Sequence, residues 1–121
     1  MMSAFDYARS RATADRLIAR FGQSGAIRRA GAPSGDPWNP TAGESTDHPC
    51  ALVVLAYDTR EIDGTLIRSS DRKVLVAAGG LAVEPTAADR IVIGGTALEI
   101  VRVAPLAPGG TVVLYEIQAR G

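Results

Sequence analysis

His48 and Cys50 stand two residues apart and are the one pair whose types could ligate a metal or activate a nucleophile. A structural zinc site needs four ligands. These are the only histidine and the only cysteine in the chain, so carboxylates would have to complete any set. On a strand, positions i and i+2 share a face, so thiol and imidazole could meet. Such a nucleophile also needs a third group to orient the base, and none stands out. The residues therefore read as a loop-end histidine and a small buried thiol at a strand start. Asp58, Glu61, Asp63 and Asp71 form a second cluster. Neighbouring carboxylates can do acid–base work or hold a hard cation. Their spacing fits no calcium loop, and Asp63 and Asp71 sit where turns favour aspartate. Gly79-Gly80, Gly94-Gly95 and Gly109-Gly110 match neither phosphate-binding pattern, GxxxxGK(S/T) or GxGxxG. They join strands rather than open a helix, and are expected as hairpin turns at positive φ. No catalytic, cofactor-binding or metal-ligating residue is expected, and the chain reads as a non-enzyme.

The elements that would position these residues start with a helix over Ser3–Phe21. Ser3 and Asp6 have capping-box spacing. Tyr7, Ala14, Leu17, Ile18 and Phe21 recur on one face at helical period, and Arg9, Arg16 and Arg20 on the opposite one. The apolar face is expected in the core and the basic face in solvent. Gly22 stands where a C-terminal cap belongs. Ala26–Arg29 could be a short strand. Cys50–Tyr57 is apolar on both parities, so both its faces should be covered. Asp63-Gly64 signals a hairpin between Arg60–Ile62 and Thr65–Ile67. Ser70–Arg72 is a turn, and Lys73–Ala78 a strand. Arg90–Ile93, Gly94-Gly95 and Thr96–Val103 read as a tight hairpin. Thr111–Gln118 closes the chain, with Val113, Tyr115 and Ile117 on one face. Short strands at this spacing predict a mainly β fold. The form expected is a small antiparallel β-barrel or sandwich with an N-terminal α-helix and a long extended loop. One domain spans 1–121: helix 1–22, flexible loop 31–47, barrel 50–121.

That loop, GAPSGDPWNPTAGESTD, breaks the pattern. A structureless connection this long is usually functional or disordered. It carries the only tryptophan, Trp38, between Pro37 and Asn39-Pro40. Tryptophan is enriched at binding hot spots, and the prolines stiffen an extended segment. The alternative is that Trp38 tucks the loop onto its own barrel. Pro33, Asp36, Pro37, Trp38, Pro40 and Glu44 are the candidate contact residues of the loop, and Arg9, Arg16 and Arg20 those of the helix.

The 121 residues carry no net charge, which argues against a dedicated nucleic-acid or membrane-surface binder. The charge is uneven. Residues 1–30 hold six arginines against two aspartates, and the loop holds Asp36, Glu44 and Asp47 with no cation. A basic helix and an acidic loop could meet on neighbouring copies. No apolar run approaches the ~20 residues a membrane span needs. With a lone cysteine and no apolar signal core at the N-terminus, a soluble intracellular product without membrane contact is expected.

The arrangement of basic helix, long loop and small barrel resembles the head-closure or stopper proteins of tailed bacteriophages and the related parts of gene transfer agents. The stretches that carry the resemblance are residues 71–81 (DRKVLVAAGGL), 85–103 and 105–120, with their D…I…G…I…V…P…G…Y order. The resemblance implies a structural virion protein of the neck, made in the host cytoplasm. It would form a homo-oligomeric ring, in that family often twelvefold or sixfold. Portal or adaptor protein would lie above it, and tail terminator or tail tube below. The loop would reach into the channel or to a neighbour and help retain packaged DNA, with non-specific DNA contact possible. A tail-completion or terminator-type neck protein shares the style. The competing class is an OB-like or SH3-like nucleic-acid-binding barrel. That class needs stacking rings on a basic sheet, and beyond the helix only Tyr57, Tyr115 and Trp38 are available.

Overall fold

The computed structural model describes residues 7–41, 43–57 and 60–121. Helix α1 spans Tyr7–Phe21. The capping pair Ser3 and Asp6 lies outside the described residues, as does Asp58. Alanine and arginine are strong helix formers and make up most of α1. It packs against β4 (Thr46–Ala56) and β5 (Arg72–Ala77), with smaller contacts to β1 (Gln23–Arg29) and β8 (Leu114–Arg120).

The face that α1 buries differs from the expected one. Ile18 is buried, but Leu17 is 52% and Phe21 69% exposed. The inward line runs through Arg11, Ala14, Asp15 and Ile18, which is also helical spacing. Two polar contacts fix this rotation. Arg11 Nη2 donates to the Ala78 carbonyl at 3.3 Å, and the Gly79 N–H donates to Asp15 Oδ1 at 3.1 Å. Glycine at 79 leaves room for that carboxylate, since a Cβ there would collide with it. Gly22 follows the last helical residue as expected of a C-terminal cap, but not in a left-handed conformation. Its N–H donates to Ile18 O at 2.8 Å, and its φ is not positive. A Cβ at Gly22 would run into the backbone carbonyls of Leu52 and Ile18. Glycine is required by close approach.

The remaining strands are β2 (Ser34–Asp36), β3 (Asn39–Thr41), β6 (Arg90–Ile93) and β7 (Thr96–Leu106). Six strands close an antiparallel barrel in the order β1-β4-β5-β8-β7-β6, with β6 returning to β1. The expected alternation holds on β8, where Tyr115, Ile117 and Ala119 point into the core with Ile27, Leu52, Val74, Val76, Ile91 and Ile100. Gly94 and Gly95 have φ of 58° and 83° between Ile93 and its partner Thr96. Positive φ at both central positions makes the tight turn whose twist matches the strands.

Two other expectations are corrected. β4 begins at Thr46, well before Cys50. Its inward parity is covered, with Leu52 buried and Cys50 and Val54 packed against the core, while the outward parity is covered only in part: Ala51 and Val53 are half-buried and Leu55 is 40% exposed. Residues 60–71 form no hairpin of strands. Asp63 Oδ1 instead accepts the N–H groups of Thr65, Leu66 and Ile67 at 2.8–3.0 Å, which folds the segment into a compact turn. Among the described residues, no helix is long and apolar enough to cross a membrane.

The Gly22 contacts make a direct prediction. Gly22→Ala should cost about 1–3 kcal/mol by overpacking the junction of α1 and β1. Urea denaturation checks it, with a lower midpoint and an unchanged slope as the expected result.

Candidate assembly surface

The segment expected as a flexible loop is a β-hairpin arm. Asn39–Thr41 pairs with Ser34–Asp36, leaving Pro37 and Trp38 as a two-residue tip. At the base the Gly31 N–H donates to Glu44 O at 3.0 Å. The register explains why the arm is ordered. Gln23 faces Leu52, Arg29 faces Thr46, and Asp36 faces Asn39 with no slip between the two ladders. The arm is thus the continuation of the β1–β4 pair beyond the barrel. Its glycines serve close approach: a Cβ on Gly31 would press on Glu44 O, and one on Gly43 on the backbone of residues 31 and 32. Gly35, at φ 90°, takes the left-handed conformation that other residues avoid.

β2 and β3 form a sheet of their own, with no ladder to any barrel strand. Trp38 is 83% exposed, so it does not tuck onto its own barrel. Asp36 and Pro37 are exposed beside it and Pro33 and Glu44 are exposed nearer the base, while the Pro40 side chain lies outside what is described. Among the described residues, Asp36 and Glu44 have no ion-pair partner. Asp47 does not belong with them. It lies on β4 directly opposite Arg28, which donates to it through Nε at 2.8 Å and Nη2 at 3.0 Å. Those hydrogen bonds hold its carboxyl below the usual range. The free acidity of the arm is therefore Asp36 and Glu44.

On α1 the expected basic face is present: Arg9, Arg16 and Arg20 are exposed. The exposed Leu17 and Phe21 join that face and change its chemistry from basic to basic and apolar. Thr13, Arg16, Leu17 and Arg20 line an open depression of about 280 Å³. The Arg20 guanidinium lies 5.2 Å from the Phe21 ring centroid, and Arg16 Nη2 donates to Thr13 Oγ1 at 3.3 Å. The signal for this lay in the sequence as the alternative face through Arg11, Asp15 and Ile18.

The residues with chemical potential are otherwise engaged. Cys50 packs against the core, and burial pushes its thiol up to about 11. His48 is half-buried on the same strand. Among the described residues, no three of His, Cys, Asp and Glu converge as metal ligands. Asp71, read as a turn former, is a buried ion-pair centre. It receives Arg120 Nε at 2.8 Å and Nη2 at 2.9 Å, Gln118 Nε2 at 2.8 Å and the Arg68 N–H at 2.9 Å. The Arg120 bonds first, then the others, hold its carboxyl far below the usual range against the opposing effect of burial. Asp89 is a second such centre, taking Arg29 Nε at 3.0 Å, Arg29 Nη2 at 2.9 Å and the Thr86 N–H at 2.9 Å. Arg29 lowers it in the same way. Neither pairing was visible in sequence, because the partners lie about 50–60 residues apart. A depression of about 370 Å³ beside Leu66, Ile67 and Val101 has Asp63 and Gln118 in its wall. Asp63 Oδ1 is held by the 63–67 turn, and Gln118 Nε2 donates to Asp71 and to Leu66 O.

For nucleic acid, the rings are poorly placed. Tyr115 is 8% exposed inside the barrel. Tyr57 is half-buried with Lys73 Nζ 5.1 Å from its ring, and Lys73 is itself bonded to Glu61 Oε1 at 3.0 Å. No protein-family profile, curated protein sequence or solved structure matches the chain.

Two outcomes follow for solution measurements. The depressed carboxyls of Asp71 and Asp89 stabilise the fold at neutral pH. Their contribution drains as pH falls below the ordinary aspartate value, about 4, toward the lower folded values. Urea midpoints should begin to fall near pH 4 and drop most steeply below it, and Asp71→Asn should be less stable at pH 7 but flatter on the acid side. Cys50 should resist alkylation by iodoacetamide at pH 8 in the native state and react at once in denaturant.

Proposed function

We propose that this protein is a structural subunit that assembles with other copies through its arm, and that the assembly is a ring in the neck of a tailed phage-like particle. The observation that carries the reading is Trp38, 83% exposed at the tip of an ordered hairpin whose strands pair with nothing else in the fold. Large exposed aromatics on rigid elements act as interface anchors, and a pre-ordered hairpin loses little entropy on docking. Placement in the neck rests on the resemblance of residues 71–81, 85–103 and 105–120 to head-closure proteins. On that reading the ring lies between portal or adaptor and tail, the arm contacts a neighbour or the DNA channel, and the protein is not an enzyme. A nucleic-acid-binding barrel is disfavoured by the engagement of Tyr57 and Tyr115.

The hairpin register provides a clean test. Replacing residues 31–44 by an Asn-Gly turn between Ala30 and Ser45 keeps every β1–β4 pair. The shortened protein should melt within a few degrees of the parent, and Trp38→Ala should melt unchanged. Both should fail to form rings by negative-stain microscopy and fail to complement a deletion in particle production. Gold-labelled antibody should mark the neck of tailed particles. Its absence from purified particles would overturn the placement. Retention of duplex DNA in a gel shift at moderate salt would favour the nucleic-acid reading instead.

A further inference from the structure

The arm and α1 carry complementary chemistry. The arm tip presents an indole beside the carboxylate of Asp36, and Glu44 adds a second negative charge at the arm's base; among the described residues neither has an ion-pair partner. The outer face of α1 presents Leu17 and Phe21 flanked by Arg16 and Arg20 around an open depression. Building on the assembly reading, we infer that Trp38 of one copy seats on the Leu17–Arg20–Phe21 face of α1 in the next copy, with Asp36 beside the tip against its arginines and Glu44 at the base adding to the arm's negative charge.

Three features select a second copy as the occupant. First, the two surfaces are not joined within one chain: Leu17, Phe21 and Trp38 are all open to solvent. Phe21 leads into the start of β1 and the arm leaves from its end. The seven-residue strand, about 20 Å long, and then the length of the arm separate them. Second, the pair is self-sufficient, because each copy offers one arm and one helix face. Two different patches on one subunit make a head-to-tail contact, the type that closes into rings. Third, the chemistry matches on both counts. An aromatic anchor fits an open depression with Leu17 in its wall and Phe21 exposed nearby, and arginine stacks on indole faces as well as pairing with carboxylate. Leu17, Phe21 and Arg20 are outside the barrel core, so the face can be altered without disturbing the fold.

Trp38 is the only tryptophan, so its fluorescence reports the docking directly. Diluted protein should emit as exposed indole. Raising the concentration toward millimolar should shift the emission to shorter wavelength and protect it from acrylamide, in step with the rise in mass by analytical ultracentrifugation. Arg16→Glu with Arg20→Glu in one chain, and Asp36→Lys with Glu44→Lys in another, should each weaken self-association at least tenfold. An equimolar mixture of the two should recover both mass and emission shift, because every arm then meets a face of opposite sign. Circular dichroism of each variant guards against misfolding. Oligomers in which Trp38 still emits as exposed indole, or a mixture that fails to recover, overturn the docking and leave the assembly reading standing. A chain monomeric at every concentration overturns the docking. Docking as described, in a protein absent from phage-like particles, would remove the neck placement alone.

Discussion

Strand β1 has hydrogen-bonded neighbours on both edges, and the rest of the molecule depends on that. Pairing with β6 closes the barrel and removes its free edges, with Ile27 and Ile91 facing each other in the core. Pairing with β4 runs on past the barrel in a single register until Pro37 and Trp38 turn it back. A slip of one residue would turn Ile27 outward and empty the core, so the register is held by burial. The arm inherits that register and needs no core of its own. The position of Trp38 is therefore set by Ile27 and Leu52.

The long connections are tied down by charge as well as by apolar contacts such as those of Leu81 and Val83 with the core. Asp71 draws the 60–71 segment onto Gln118 and Arg120 of β8. Asp89 draws the 78–89 segment onto Arg29 at the end of β1. Bidentate guanidinium–carboxylate pairs give fixed geometry as well as energy. In a 121-residue chain with few aromatics, two such clips fix the geometry of loops whose apolar anchors are few and small. The same chemistry orients α1 through Arg11 and Asp15. By taking Arg11 and Asp15 inward it leaves Leu17 and Phe21 outward. An inward polar latch and an outward apolar face are thus two sides of one rotation, and the proposed docking surface is its consequence.

On the proposed reading, the arrangement suits a subunit that must stay apart until its assembly is built. The anchor is a single aromatic and the charges around it are few, so each contact alone is modest. Closure of a ring multiplies such contacts by raising effective concentration. The electrostatic part is exposed and screened by salt, so it steers neighbours together more than it holds them.

Local pattern in the sequence was enough for the mainly β class, the helix, the Gly94-Gly95 hairpin and the inward parity of β8. Each of those is written in residues close along the chain. The candidate site was half legible. Trp38 and the exposed arginines stood out by type, but the arm read as a flexible loop because glycines and prolines signal turns. Only the facing strand shows that Gly31 and Gly43 are there to let two backbones meet. Leu17 and Phe21 read as core because an amphipathic count cannot choose between two overlapping faces of one helix. That choice was made by Ala78 and Gly79, more than 60 residues away. Asp71 read as a turn former and Asp89 carried no signal of its own until Arg120 and Arg29 came within hydrogen-bond distance. The sequence by itself determined the helix, the mainly β class and which residue types sit between Gly31 and Asp47. Only the tertiary structure decided which helix face is open, which carboxylates are spent and how far the arm is ordered, because those depend on contacts between residues distant in the chain.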